Sequence, residues 1–434
     1  MTAASRIERA YREDAARILG AVARTTGDLL LAEDAVQEAF ARALAEAARG
    51  HEPRNPAAWI TTVARRAALD ALRREQTARR VAPMLAAERE RAETAAAAAE
   101  ERAADEAADE RGGPAVFTGD ERLDLILLVA HPDLAPETRV ALALRHVCGV
   151  PTARIADAFL IPEPTMAARL TRAKKRIHDT GIRFALDDAA AVAARMPDAL
   201  TTIYLLYTVG HATADDRLRA DAIVLARDAH RVADDAESAG LLALLLLTEA
   251  RQPTRLTADD EFATLREADR TRWDAAMMAE GERLATIALG GAAHPGTTRG
   301  GDGRGGDGRY GLQAGIAGLH AVAPSWEATD WPAIVRLYDG LVRVWPSATA
   351  RLGRLVALGH SPDAGPEVAL AALDAEPDLF AGPLATRAHA ARAELLRLAG
   401  DRAASEAELR RAIGAADDDR TRRSLLRLLA AGGE

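Results

Sequence analysis

Between Pro151 and Ile177 the chain reads PTARIADAFLIPEPTMAARLTRAKKRI, and its cations are sorted rather than scattered. Thr165, Arg169, Arg172 and Arg176 recur at intervals of four, three and four, and Met166, Leu170, Ala173 and Ile177 follow the same intervals one position along. On a helix these spacings define a cationic face beside an apolar one. The chemistry open to such a row is recognition: guanidinium groups pair bidentately with guanine edges, and the remaining cations neutralise phosphates. Lys174 and Lys175, the only lysines in the chain, add charge to the same helix. A basic helix alone is often no more than a solvated surface. Here a shorter helix precedes it, starting at Thr152 and carrying Ile155 and Ala158 inward. It stops at Phe159-Leu160-Ile161-Pro162, because proline disfavours helical geometry in the residue before it. The second helix starts near Glu163-Pro164, with proline tolerated in its first turn. The spacing predicts a helix-turn-helix whose second helix enters a major groove.

Two further segments carry polar patterns. In DLLLAEDAVQEAFARAL, Asp28 to Leu44, the aspartate can cap a helix on which Val36, Phe40 and Ala43/Leu44 face inward. Glu33, Asp34, Gln37 and Glu38 remain as an acidic, polar patch. The segment Asn55 to Arg80 predicts a second helix with Trp59, Ile60, Val63 and Ala67 on its buried side. Arg65, Arg66, Arg73, Arg74, Arg79 and Arg80 outnumber Asp70 and Glu75 on it, and Asp70 is four residues from both Arg66 and Arg74. Even with ion pairs formed there, the end of that helix stays positive, as a surface meeting nucleic-acid phosphates would be.

Other chemistry is poorly supported. His211, His230, His294, His320, His360 and His389 show no HExxH or paired-ligand spacing, and no Ser/His/Asp or phosphate-loop pattern occurs, so no catalytic residue, metal ligand or cofactor is expected. The one cysteine, Cys148, excludes an internal disulfide and reads as a buried thiol.

The elements that position these residues follow from composition. Across 434 residues, 49% are apolar but only 4% aromatic, so the cores rest on Ala, Leu and Val, which suits packed helices. The expected fold is all-α. A formal net charge of −9 argues against wrapping of nucleic acid by the whole chain and leaves binding to local basic patches. The N-terminal stretch is charged and lacks an apolar signal core, and the longest apolar run, Gly240 to Leu247, is too short to span a bilayer, so a cytoplasmic protein without membrane insertion is expected. Four regions separate: a helical unit over 5–80, an acidic low-complexity linker over 81–119, a second compact helical unit over 120–180, and an Ala/Leu-rich helical series over 185–434. The stretch Arg299 to Gly311, RGGDGRGGDGRYG, reads as a flexible loop within that series. Helices are expected at Leu218 to Ala233, Ser238 to Ala250, Arg270 to Leu289, Trp331 to Trp345, Ala385 to Leu398 and Ala403 to Ala415. No clean repeat period appears, so spacing alone specifies only a helical array.

In this order and across such a linker, the segments resemble extracytoplasmic-function RNA polymerase sigma factors. LAEDAVQEAFARAL resembles the helix of region two that docks on the clamp helices of the polymerase β′ subunit. PAAWITTVARRAALDALRR resembles the part that melts and reads the minus-ten element. Residues 120–177 resemble region four, which reads the minus-thirty-five element. The part from PSWEATDWPAIVRLYDGLVRVWPSATARLGRLVALGH onward resembles the tetratricopeptide-like extension of one subgroup. Thr208-Val209-Gly210-His211 stands where that subgroup has Asn-Glu-Gly-Tyr, and Gly353 where it has Asn.

The resemblance implies a non-enzymatic protein that lends promoter specificity to core RNA polymerase. Asp34, Gln37 and Glu38 would meet the polymerase clamp. The loop His51 to Asn55 with Arg65, Arg66, Arg73 and Arg74 would meet the opened minus-ten element. Thr165, Arg169 and Arg172 would face base edges of the minus-thirty-five element, with Lys174, Lys175 and Arg176 on phosphates. The implied partners are core polymerase, through its β′ clamp helices and β flap, promoter DNA, and a regulatory protein on the extension. The acidic linker would thread the polymerase's positively charged RNA-exit path. The competing reading is a helix-turn-helix regulator that binds duplex DNA without polymerase, using the helical array for protein contacts.

Overall fold

The computed structural model describes residues 3–51, 53, 55–91, 118, 121–180, 182, 186, 188–290 and 308–431. Among them every named element is helical, and the sole pairing of extended backbone is an isolated antiparallel bridge between Leu256 and Phe262. The chain divides into two compact units, Met1–Ala229 and His230–Glu434.

The first unit opens with three mutually packed helices, α1 (Ala3–Thr26), α2 (Leu29–Ala48) and α3 (Pro56–Arg91). Asp28 Oδ1 accepts from the Leu31 N–H at 3.0 Å and so caps α2. Asn55 Oδ1 accepts from the Ala58 N–H at 3.2 Å and starts α3, with Pro56 at its first position. Ile18, Val22, Val36, Phe40, Ala43, Ile60, Ala64 and Ala68 form the core between them. Small side chains on α3 let the helices approach, which is how a core poor in aromatics closes. Leu44, expected inward, is 48% exposed, because one residue beyond Ala43 the helix has turned toward solvent. On α3 the buried line runs Ala57, Ile60, Ala64 and Ala68, while Trp59, Val63 and Ala67 flank it half-buried. Helix α3 also continues to Arg91, past the expected end at residue 80. Residues 92–117 of the acidic linker lie outside the described residues.

The second module comprises α4 (Glu121–Val129), α5 (Pro136–Leu142) with a π-helical turn at Ala143–Val147, α6 (Thr152–Ala158) and α7 (Glu163–Thr180). The next helices, α8 (Ala189–Thr213) and α9 (Asp216–Ala233), begin the extension, yet α8 packs on α4, α5 and α6. Arg139 Nη1 donates to Asp198 Oδ2 at 2.7 Å, buried Arg195 donates to the Leu127 carbonyl at 3.3 Å, and Arg122 pairs with Asp221 at 2.7 Å. The boundary expected at 185 therefore falls ahead of helices that form a wall of the second module. Gly210 permits the α8–α9 turn: a Cβ there would come within 2.9 Å of the Arg219 backbone nitrogen.

The second unit stacks α10 (Ala236–Glu249), α11 (Ala275–Ala288), α12 (Arg309–Val322), α13 (Trp331–Val344), α14 (Ala348–His360), α15 (Pro366–Asp374), α16 (Ala385–Leu398), α17 (Arg402–Gly414) and α18 (Asp419–Ala431), each packed on the next. The end of the Gly-rich stretch is not loop: residues 309–311 open α12, and a Cβ on Gly240 would sit 2.4 Å from the Gly311 backbone nitrogen. Glycine there serves close helix packing. Residues 299–307 of that stretch lie outside the described residues. Gly353 has a similar cause, since a Cβ would meet the Tyr338 hydroxyl at 2.5 Å.

Candidate nucleic-acid and polymerase interface

Helix α7 is presented by the turn before it. Leu160 adopts φ 55°, a left-handed conformation unusual for leucine, and the Ile161 N–H donates to the Ala156 carbonyl at 3.1 Å, closing α6. The chain re-enters helix at Glu163 with Met166, Leu170, Ala173 and Ile177 buried against α5 and α6. The adjoining, outward side holds Thr165, Arg172, Lys175 and Arg176, all exposed, and Arg169, half-buried with its guanidinium 5.8 Å from the Phe159 ring centre. Among the described residues Arg172, Lys175 and Arg176 have no acidic partner. Arg169, Arg172 and Arg176 line an open groove of about 640 Å³ whose other wall is residues 132–139. Cations without internal partners along an open groove suit phosphate and base contacts from outside.

Lys174 departs from the expected pattern. Its ammonium lies 3.2 Å from Glu33 Oε2 on α2, and His146 Nδ1, on the π-helical turn, lies 2.9 Å from Glu33 Oε1. Burial raises the Glu33 carboxyl, but the hydrogen bond and charge of His146 and the charge and hydrogen bond of Lys174 outweigh it and hold it at about 2. Sequence reasoning placed Glu33 in a polar patch and did not single it out, since no local spacing signals a partner 141 residues away.

Around it on α2, Asp34, Gln37 and Glu38 are exposed, with Glu38 paired to Arg42 and the Gln37 amide 3.4 Å from Glu33. Arg65, Arg66, Arg73 and Arg74 are exposed on α3. Asp70 pairs with Arg73 at 3.5 Å, and Arg74 donates to the Asp70 carbonyl at 3.2 Å, in place of the expected side-chain pairs with Arg66 and Arg74. Glu52 and Arg54 in the preceding loop, and the side chains of Arg79 and Arg80, lie outside the described residues.

The extension's histidines do packing work. His320 stacks on Trp326 at 6.0 Å and His360 on Trp331 at 4.5 Å, and burial pushes His320 down to about 4 and lowers His360. His211 stacks on Tyr207, and His389 contacts Glu408 at 2.7 Å; His294 lies outside the described residues. Among the described residues no group of three or more His, Cys, Asp or Glu could hold a metal ion. Cys148, expected to be buried, is half-buried as a residue, and desolvation pushes its thiol up to about 12, so it stays protonated at neutral pH.

Fold and site together define a DNA-directed helical protein: a helix-turn-helix module beside a three-helix module with a cationic face. Residues 10–78 match the family model for sigma-70 region 2, and residues 124–177 that for sigma-70 region 4. Residues 195–289 match a family of unknown function (DUF6596), whose span covers most of α8 through α11. An uncharacterised protein of Rhizobium meliloti (strain 1021) is 35% identical over 364 residues, covering 82% of this chain and 79% of the relative. No solved structure matches the chain. The chain belongs to the sigma-70 family as a sigma factor of the extracytoplasmic-function type, with an added helical C-terminal domain. It directs core RNA polymerase to specific promoters for transcription initiation, as a transcription factor of a non-enzymatic family. The polymerase-independent regulator is not favoured, because regions two and four occur together. Among the described residues no helix is long and apolar enough to cross a membrane.

Proposed function

We propose a division of labour among the exposed groups of the first unit. Asp34, Gln37 and Glu38 meet the β′ clamp helices, and Arg65, Arg66, Arg73 and Arg74 hold the opened minus-ten element. Thr165, Arg169 and Arg172 read base edges of the minus-thirty-five element while Lys175 and Arg176 contact phosphates, and region four rests on the β flap. Lys174 joins the phosphate contacts only when it is free of Glu33. The chain then acts in the cytoplasm, where polymerase and chromosome are.

The observation that carries this reading is α7: an apolar face fully committed to the core, and an adjoining face of cations without internal acidic partners beside an open groove. Run-off transcription with purified core polymerase tests it. Alanine at Arg169 and Arg172 should abolish selection of the distal element, and alanine at Asp34, Gln37 and Glu38 should weaken binding of core; unchanged transcription in both would reject the assignment. The extension, in this reading, modulates sigma activity through contacts with a regulatory protein. Because α8 and α9 pack on or pair with region four, the informative truncation is after Ala233, and unchanged activity and regulation there would reject that role.

A further inference from the structure

Arg139 lies in the wall of the groove that faces α7, yet its charge is committed elsewhere. Its Nε donates to the Leu134 carbonyl at 2.7 Å, its Nη2 to the Pro132 carbonyl at 2.8 Å, and its Nη1 to Asp198 Oδ2 at 2.7 Å. The two carbonyls belong to the segment joining α4 to α5, and the carboxylate belongs to α8, the first helix of the extension. Both partners of the ion pair are mostly buried, with side chains 18% and 17% exposed. A charge-assisted bond in that setting holds its geometry better than a solvated surface pair does. In the same segment, burial and then the charge of Arg195 lower the His131 imidazole, whose Nδ1 accepts from the Asp133 N–H at 3.2 Å.

Helix α8 does not need this pair to stay in place. Val192, Met196, Ala199 and Ile203 are buried on it, and it packs on α4, α5 and α6. What the pair adds is orientation and charge. It fixes the guanidinium against the backbone of residues 132–134, and so sets the wall that stands across from Arg169, Arg172 and Arg176. With Arg139 neutralised, the charged side chains left in that wall are Asp133 and Glu137, both exposed. The groove is therefore polarised, cationic along α7 and acidic across from it. A phosphate backbone entering it is drawn to one side only. An unpaired Arg139 would give phosphates a second attachment on the wrong wall, and the register of α7 on the bases would loosen.

We propose that Asp198 is a positioning residue for promoter reading, acting through Arg139 to fix the wall across from α7 and keep it free of positive charge. The pair joins residues 59 apart, Arg139 within region four and Asp198 in the domain added to it. The extension's first helix is thereby part of the device that discriminates the minus-thirty-five element, separately from any regulatory contact made by the helices beyond it. The proposal rests on the assignment of α7 to that element.

The test uses holoenzyme assembled from core polymerase and the full-length chain carrying Asp198→Asn, Asp198→Glu or Arg139→Gln. Binding is measured across a salt series on a promoter from which the parent initiates, with its minus-thirty-five element intact or replaced. Asp198→Asn keeps the shape and removes the charge. Discrimination between the two fragments should fall by about three- to tenfold, and the salt dependence on the replaced fragment should steepen by about one counterion. Asp198→Glu keeps the charge and should retain most of the discrimination. Arg139→Gln should lose discrimination without the steeper salt dependence, because it frees no cation. A pair that serves only stability would lower the thermal midpoint and leave the ratio of the two affinities unchanged; that result in Asp198→Asn would overturn the proposal. Equal loss in Asp198→Glu and Asp198→Asn would also overturn it. Alanine at Arg169 and Arg172 controls for the underlying assignment. A ratio unchanged there removes that assignment and the proposal with it, whereas a ratio lost there and kept in Asp198→Asn rejects the role of Asp198 alone.

Discussion

The arginines of α3 and α7 in the first unit are used differently from many of those in the second. In the first, the arginines of α3 and α7 stand largely exposed, and those of α7 lack acidic partners among the described residues. In the second many are paired internally. Arg427 pairs with Glu261 at 3.1 Å and Glu267 at 2.6 Å, Arg420 with Asp260 at 2.9 Å, Arg351 with Glu376 and Asp378 at 2.6 Å each, and Arg392 with Asp374 at 2.6 Å. Several of these pairs tie the segment around the Leu256–Phe262 bridge to α18, and the Phe262 ring lies within 4.8 Å of Arg255 and 5.8 Å of Arg420. Composition alone makes the two units look alike; pairing separates a surface built to meet an external polyanion from one that has neutralised itself. A helical array closed in this way offers its partners shape and small charged patches more than a field.

The largest effect that would break this contrast lies in α7. Replacing Arg169 and Arg172 together by alanine should cost about 1–3 kcal/mol for each guanidinium–base pairing removed, so promoter-directed open-complex formation should fall by about a hundredfold. Next comes packing in the extension. Gly240→Ala forces α10 away from the start of α12 and should cost about 1–3 kcal/mol, seen as a thermal midpoint lowered by about 2–8 °C, with α7-dependent DNA binding retained. Smaller again, Arg354→Ala removes a partly exposed pair with Asp339 at 2.6 Å and should change stability by less than about 1 kcal/mol, with no change in transcription.

A last effect, of a different kind, is a pH dependence seen in both units. The hydrogen bond from Arg427 chiefly holds Glu267 down at about 2, and His146 with Lys174 hold Glu33 there against burial. Both folded-state values lie below the ordinary 4.5, so each carboxylate stabilises the fold fully above 4.5 and ceases to do so as pH falls toward about 2. Urea midpoints taken at about pH 5 and about pH 3 should therefore converge more closely in Glu33→Gln and Glu267→Gln than in the parent chain.

How much of this was legible in the sequence depended on whether the cause was local. The α6–turn–α7 unit was, because proline and the intervals of four and three act over a single turn or two, and α16 begins and ends where its helical pattern does. The exposure of Asp34, Gln37, Glu38 and the α3 arginines followed from the same periodicity. Helix α8 was harder to delimit because Pro197 lies inside it, and it persists there through burial of Met196, Leu200 and Ile203 against its neighbours. Helices α12, α14, α15 and α18 were not delimited; α12 begins inside the Gly-rich stretch, whose composition points to a loop. The Gly240–Gly311 approach and the Glu33 cluster depend on residues far apart in sequence, and no spacing rule reports them. Lys174 was assigned to phosphates by its position on α7; its partner comes from another module.

One measurement bears most directly on the central claim: run-off transcription from a pool of genomic fragments by core polymerase supplied with the purified full-length chain or its Arg169/Arg172 alanine variant. The expected result is a small set of discrete start sites with the parent chain and their loss with the variant. Start sites that appear without the chain, or that persist undiminished with the variant, would contradict it.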